Sequence, residues 1–440
     1  KYVTVRNYWK TRLVKGRLSS LISKRKQWVQ SSNENNFNFE GILAGLYNDP
    51  SHFIYEILQN AEDAGATEII FKVSKTNLEI IHNGKDFDFD DVKGITGIGI
   101  STKKDDINAI GKFGVGFKSV FAITKTPVIH SGNYHFEIDD FVVPSEIPSS
   151  DLESTLIILP FNHPTRKEEN ACDIVSKKLE SLELKTLLFL SNIKTIKWET
   201  QAKTGEYFRK SVNKKKFSCV KETTIISQTG EQSIREDFLV LSKPVRIDSH
   251  NLQVEIAYRI SDDTKKKTII KEKDTRLVSF FPTEKVTYLN FLIQGPFKTT
   301  PNRENIPLED RQNRLLINAT SDLVADSIEI VKALGMLNVS FLETLPIDRN
   351  YLTELIYSEI YNKVKAKILS NKALLPTNNK KFATVKNALL ARGKELPDIL
   401  NSNDLKVLFH KSEWLDTSIT ADKTRLLREY LINDLQIKEV

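Results

Sequence analysis

Apolar residues recur at helical spacing over residues 53 to 64, FIYEILQNAEDA, where Phe53, Ile54, Ile57, Leu58 and Ala61 share one face. Glu56, Asn60 and Asp63 fall at i, i+4 and i+7 and draw a polar line along a neighbouring face. Gly65 stands where a left-handed residue ends a helix. Strand patterns follow in ATEIIFKV and LEIIHNG, joined by a turn at Lys75–Asn77, and then in PVIHS, YHFEI, STLIILPF and NIKTIKW, with a helix over 168–190. LQVEIAYRI alternates cleanly. Leu252, Val254, Ile256, Tyr258 and Ile260 face one way, and Gln253, Glu255 and Arg259 the other. TRLVSFFP and TYLNFLIQGPF predict further strands, and a helix spans 310–334. Between 346 and 440, YLTELIYSEIYNKV and TRLLREYLINDL predict a mostly helical stretch, with LLPTNNKKFAT as a turn between them.

These patterns describe an α+β chain in four parts: a basic, partly helical arm over 1–36, a first full domain over 37–198, a second α+β domain over 199–345, and a helical extension over 346–440. A length of 440 residues exceeds what one core organises. Charge sharpens the division. Residues 1 to 37 hold nine basic residues against one acid, Glu34, so the net charge of +7 resides in the arm and the rest of the chain is close to neutral. Such an arm suits nucleic acid or an acidic partner, and more readily a solvated helix seated on the body through its aromatic residues. Hydrophobic content of 40% and charged content of 28% are those of a globular protein, and no apolar run is long enough to span a membrane. Cys172 and Cys219 are too few for a disulfide framework or a metal cluster and suit a reducing cytosol. Because the chain starts at Lys1 and its only methionine is Met336, it is expected to be a piece of a longer protein.

The polar line carries the chemistry. A carboxylate can take a proton from water, and a carboxamide one turn on can hold a hard cation by its oxygen. By spacing alone the same line suits an amphipathic surface helix. The glycine-rich connector DDVKGITGIGISTKKDD is long for a loop and reads as a lid. It leads into IGKFGVGFKSVFAI, residues 110 to 123, where Gly111, Gly114 and Gly116 precede an apolar helix start and let backbone amides approach phosphate oxygens. His52 and His410 stand isolated and read as structural.

EILQNAEDA resembles the N-box of the GHKL ATPases, the superfamily of gyrase, the heat-shock ninety chaperones, histidine kinases and mismatch-repair proteins, and IGKFGVGFKS resembles their glycine box. FIYEILQNAEDAGAT with GKFGVGFKSVF and PVIHS is most similar to the sacsin-like branch, found in large, often bacterial, proteins. The resemblance is strongest over 40–160. It implies a Bergerat-type two-layer α/β sandwich that binds ATP and magnesium, followed by a transducer-like α+β domain. It also implies slow hydrolysis coupled to lid closure, and pairing of two ATPase domains into a homodimer. Glu56 would be the general base and Asn60 the magnesium ligand, with Asp63 supporting them. Gly111, Lys112, Phe113, Gly114, Val115, Gly116 and Phe117 would wrap the phosphates, Lys103 would add a lid cation, and Thr155 would lie beneath the adenine. Where the family has an aspartate before a glycine, this chain has His82-Asn83-Gly84. Asn83 accepts only as a neutral amide there, which weakens adenine recognition. In FKTTPNRENIP, Arg303, and after it Lys298, match a cation that reaches the γ-phosphate. Local pairing of Arg303 with Glu304 or Glu309 is the alternative. The expected setting is an ATPase module of a bacterial anti-phage defence protein. A sacsin-like chaperone, a DNA-clamping ATPase using the basic arm, and a nucleotide-sensing scaffold are the alternatives.

Overall fold

The computed structural model describes residues 2–35, 49–97, 116–150, 152–261, 267–300, 306–393 and 395–440, with side chains from Gly16 onward. Its contacts group the chain into two compact units, one of residues 1–210 and 225–235, the other of residues 211–224 and 236–440. The architecture is α+β, with mixed strands and helices in both.

In the first unit helix α1 (Tyr2–Glu34) precedes α2 (Phe53–Asp63). The apolar stripe on α2 is buried as its spacing predicts: Phe53, Ile54, Leu58 and Ala61 are 0% exposed and Ile57 1%. Burial of each large side chain contributes about 2 kcal/mol. Gly65 ends the helix at φ +74°. Its N–H donates to the Glu62 carbonyl and that of Ala66 to the Ala61 carbonyl, the paired bonds of a Schellman cap.

The strands are β1 (Glu68–Val73), β2 (Asn77–His82), β3 (Val128–Ser131), β4 (Tyr134–Asp139), β5 (Val143–Glu146), β6 (Thr155–Pro160), β7 (Thr195–Glu199) and β8 (Thr204–Asn213). They pair in the order β8-β7-β1-β2-β6-β3-β4-β5. Only the β1–β7 pair is parallel. Ile69, Phe71, Leu78, Ile80, Ile157 and Leu159 share the buried face, while Ile70, Lys72, Glu79, Ile81 and Ile158 on the other face remain partly exposed. One buried and one open face is the pattern of a sheet covered on one side.

Helix α3 (Phe89–Ile95) begins in a capping box built by Asp88 and Asp91. The segment after the glycine box is a short 3-10 helix, Gly116–Ala122, rather than an α-helix, and it packs along α2. The helix expected over 168–190 ends early, as α4 (Glu168–Glu180). The following backbone turns away through a 3-10 segment, Leu184–Leu187, to feed β7. The arm is helical and seated on its unit. Leu18 and Leu21 are buried, Arg17 lies over the Phe89 ring, and Arg25 Nη2 donates to the Lys93 carbonyl at 3.2 Å. Lys24 and Lys26 remain exposed.

Strands β9 (Val220–Thr229), β10 (Gln232–Ile247) and β11 (His250–Ile260) follow in the chain. In the second unit β10 and β11 pair antiparallel from Asp237↔Ile260 to Ile247↔His250. All five predicted inward residues of β11 are buried, at 2% exposure or less. Next come β12 (Ile269–Ile270), β13 (Arg276–Ser279), β14 (Phe281–Val286) and β15 (Leu292–Gln294), with β15 against β11. Helix α5 (Arg311–Ala333) matches the predicted span and is capped by Asp310, whose side chain accepts from the Gln312 and Asn313 N–H groups. Tyr258 Oη on β11 bonds Ser327 Oγ on α5 at 2.8 Å.

The stretch from 346 onward departs from its helical expectation. Its described residues form helices α6 (Leu355–Leu369), α7 (Leu396–Ile399), α8 (Ser402–Phe409) and α9 (Arg425–Asn433), but also five short strands in two small sheets. Leu375, Ala388, Leu389 and Leu390 are buried in those strands. Apolar runs of two or three residues have no period to read, so only their tertiary partners make them strands.

Candidate functional site

The polar line of α2 does not face open solvent. Glu56 is 8% exposed, and Asn60 and Asp63 are half-buried. One turn before Glu56, His52 Nε2 stands 3.5 Å from Glu56 Oε1. His52 is therefore not isolated, and its i, i+4 relation to Glu56 was the signal for it in the sequence. On the other side, the Glu56 carboxylate fills the space beside Gly116. A Cβ at position 116 would meet Glu56 Oε2 at 2.1 Å. Glycine leaves room there for the carboxylate, which a side chain at 116 would push aside. The fold thus joins the helix glutamate to the last glycine of the glycine box. Phe117 follows, buried, and Ser119 Oγ donates to the Gly116 carbonyl at 2.6 Å.

A polar row runs across the buried face of the sheet. His82 pairs in register with Ile69 on one side and Thr155 on the other. Thr155 is fully buried, with Oγ1 2.6 Å from Ser131 Oγ, which also accepts the Phe87 N–H at 2.9 Å. Asn83 is exposed, and its amide is occupied. Oδ1 accepts the N–H groups of Thr67 and Glu68 at 2.8 and 3.1 Å, and Nδ2 donates to Thr67 Oγ1 at 2.8 Å. Gly84 lies against Ala64 at the end of α2. Lys298 belongs to the second unit, where Asp310 pairs with its Nζ at 2.8 Å. Lys103, Gly111, Lys112, Phe113, Gly114, Val115 and Arg303 lie outside the described residues, and Glu309 pairs with Arg314. A cleft of about 350 Å³ in the first unit, lined by Ile70, Lys197, Glu199, Thr204, Glu206 and Gln228, involves none of the predicted site residues.

Three charged or titratable side chains outside the polar line hold this region together. Glu62 Oε1 accepts the N–H groups of Ser191 and Asn192 at 2.6 and 2.9 Å, and its Oε2 accepts that of Ile193 at 2.8 Å, anchoring α2 to the loop that feeds β7. Lys118, 2% exposed, donates from Nζ to the Ile95 carbonyl at 2.5 Å and to the Phe141 carbonyl. It ties the end of α3 and the β4–β5 turn to the 3-10 helix. Burial, with the nearby Arg25 charge, pushes its ammonium well below the usual lysine range. These partners are distant in sequence, which is why spacing carried no sign of them.

The third is His82. Its Nδ1 accepts the Gly84 N–H at 3.2 Å, and burial lowers its pKa to about 4. The unfolded chain takes up that proton near pH ~6.5. The folded protein does so only near the lowered value, so the stabilisation is complete above ~6.5 and declines as pH falls toward ~4, by at most ~3 kcal/mol. His82→Gln is expected to flatten the loss of stability between neutral and mildly acidic pH, measured by urea unfolding at several pH values. An acid slope identical to wild type would place its origin elsewhere.

Residues 38–146 match the family model of the Sacsin domain. The chain is 28% identical over 320 residues to Protein NO VEIN of Arabidopsis thaliana, covering 64% of this chain and 11% of that protein. It is 36% identical over 104 residues to Sacsin of Homo sapiens, covering 20% of this chain and 2% of that protein. These matches support a sacsin-like relation, and the chain spans only a small part of either relative. A solved structure titled "Crystal Structure of N terminal domain of a DNA repair protein" is similar with a TM-score of 0.35 and 14% identity, covering 62% of this chain and 92% of that one. Among the described residues no helix is long and apolar enough to cross a membrane.

Proposed function

We propose that the first unit is a GHKL-type nucleotide-binding module of Bergerat architecture that binds ATP with magnesium and hydrolyses it slowly within a larger protein. The observation that carries the reading is the buried Glu56 carboxylate lodged against Gly116, one turn from Asn60. The donor set suits the group: a carboxylate to accept a proton, and a carboxamide oxygen to hold a hard cation. Magnesium-ATP, when bound, supplies the γ-phosphoryl group and the cation that offsets its charge. Glu56 orients the attacking water and takes its proton. His52 Nε2 stands beside the carboxylate, at 3.5 Å. Asn60 presents its oxygen to the cation, and Asp63 extends the polar line. The 111–117 segment would offer backbone amides to the phosphates, Lys103 would add a cation, and Thr155 would lie under the base. Arg303, then Lys298, are the proposed cations for the transferring phosphoryl oxygens.

In this reading residues 1–36 are an arm, 37–198 the ATPase domain, 199–345 a transducer and 346–440 an extension. Nucleotide binding favours pairing of two such chains, and the cytoplasmic setting is a bacterial anti-phage defence protein. A second reading, a nucleotide-sensing scaffold, is favoured by Asn83. Its amide is engaged with the backbone of Thr67 and Glu68, which weakens its capacity to select adenine.

The test is nucleotide binding and turnover of the chain with magnesium, beside Asn60→Ala. The ATPase reading expects binding with slow hydrolysis, both lost in the variant. Binding without turnover would favour the scaffold, and no nucleotide binding by the wild-type chain would end both readings.

A further inference from the structure

The β3–β4 hairpin carries two histidines at one cross-strand position. His130 and His135 face each other in the antiparallel register. Strand alternation turns Ile129, Ser131, Tyr134 and Phe136 to the buried face and leaves both histidines half-exposed on the other. The two-residue turn between the strands is fixed by Gly132, at φ +55°, where a Cβ would also meet the Asp86 Cβ at 2.9 Å.

The rings meet nitrogen to nitrogen, with the two Nδ1 atoms 3.1 Å apart and the ring planes tilted by 49°. Only one proton fits between two such atoms, so at least one Nδ1 directs a lone pair at the other. We propose that His130 and His135 form a binding site for a divalent transition-metal ion, with their Nδ1 atoms as its ligands. An ion bound to both at the usual imidazole distance of ~2.0–2.1 Å would subtend about 98° across this separation, between the square-planar and tetrahedral angles. Partial burial holds both imidazoles below their ordinary range. The neighbouring ring adds to this for His130, and a backbone bond with Gly132 partly offsets it for His135. The neutral, ligating form therefore prevails at pH 7. Among the described residues no group of three or more His, Cys, Asp or Glu side chains is arranged to hold a metal, so solvent completes the coordination. Imidazole donors with open positions suit Zn(II), Ni(II) and above all Cu(II), which leads the affinity order for such sites.

The test is titration of the full chain, prepared without a histidine tag, with Cu(II), read by calorimetry and by electron paramagnetic resonance. Wild type and His163→Gln are expected to bind one ion through two nitrogen ligands. His130→Gln and His135→Gln are each expected to bind at least about tenfold more weakly, with one nitrogen at most. Unchanged affinity and an unchanged two-nitrogen signal in both variants would overturn the site. A second measurement needs no variant: Zn(II) should perturb the ring resonances of two of the seven histidines, His130 and His135. Perturbation confined to other histidines, or of none, would also overturn it.

Discussion

Glu56→Gln is expected to keep nucleotide binding and to lower turnover by about 100-fold or more, the size of a lost general base. The amide has the shape of the carboxylate and fits the same space against Gly116, so the packing of α2 survives. It cannot accept a proton from water, so only the chemical step suffers. Steady-state turnover and a direct binding titration on one preparation separate the two effects. Equal turnover in wild type and variant would remove Glu56 as the base. A variant that lost binding as well would make Glu56 part of the phosphate cradle instead. The burial of Glu56 makes the prediction a large one. A carboxylate at 8% exposure, between an imidazole and a glycine backbone, has few positions it can occupy, and a fixed base is an effective one.

Glu62→Ala is expected to destabilise the protein by about 2 kcal/mol, measured as a shift of the urea unfolding midpoint. Glu62 is 5% exposed and accepts three consecutive backbone N–H groups, those of Ser191, Asn192 and Ile193. Alanine strands the buried Ile193 N–H, which costs about 1–3 kcal/mol, whereas the donors of the exposed Ser191 and Asn192 regain water. Glu62→Gln retains one oxygen acceptor and should fall between wild type and alanine. A loss below ~1 kcal/mol for Glu62→Ala would put Glu62 in the class of exposed ion pairs and end its role as an anchor. Because α2 carries Glu56, Asn60 and Asp63, the same substitution tests whether their alignment depends on this tether.

The two glutamates on α2 illustrate how much was legible. Glu56 announces itself by position, since Asn60 and Asp63 continue its line. Glu62 lies off that line and reads as an ordinary helix carboxylate, and its partners are 129 to 131 residues further along the chain. Lys118 is similar. Nothing in GFKSVF marks it as a fully buried cation, because the carbonyls it serves belong to Ile95 and Phe141. His52 could have been found from its spacing to Glu56 alone. The hairpin histidines are close in sequence, yet the approach of their Nδ1 atoms depends on a register set by a two-residue turn.

By itself the sequence determined the α+β character, helix α2 with its glycine stop, the alternation of β11 and the span of α5, because each rests on periodicities that act within a few residues. Only the tertiary structure decided what the polar groups touch. The placement of Glu56 against Gly116, Glu62 on the loop before β7, Thr155 on Ser131, and the short apolar runs after residue 346 as strands all depend on partners far along the chain. The physical reason is burial. A buried charge or hydroxyl must find a partner wherever the folded chain supplies one, and sequence spacing holds no record of which segment that is.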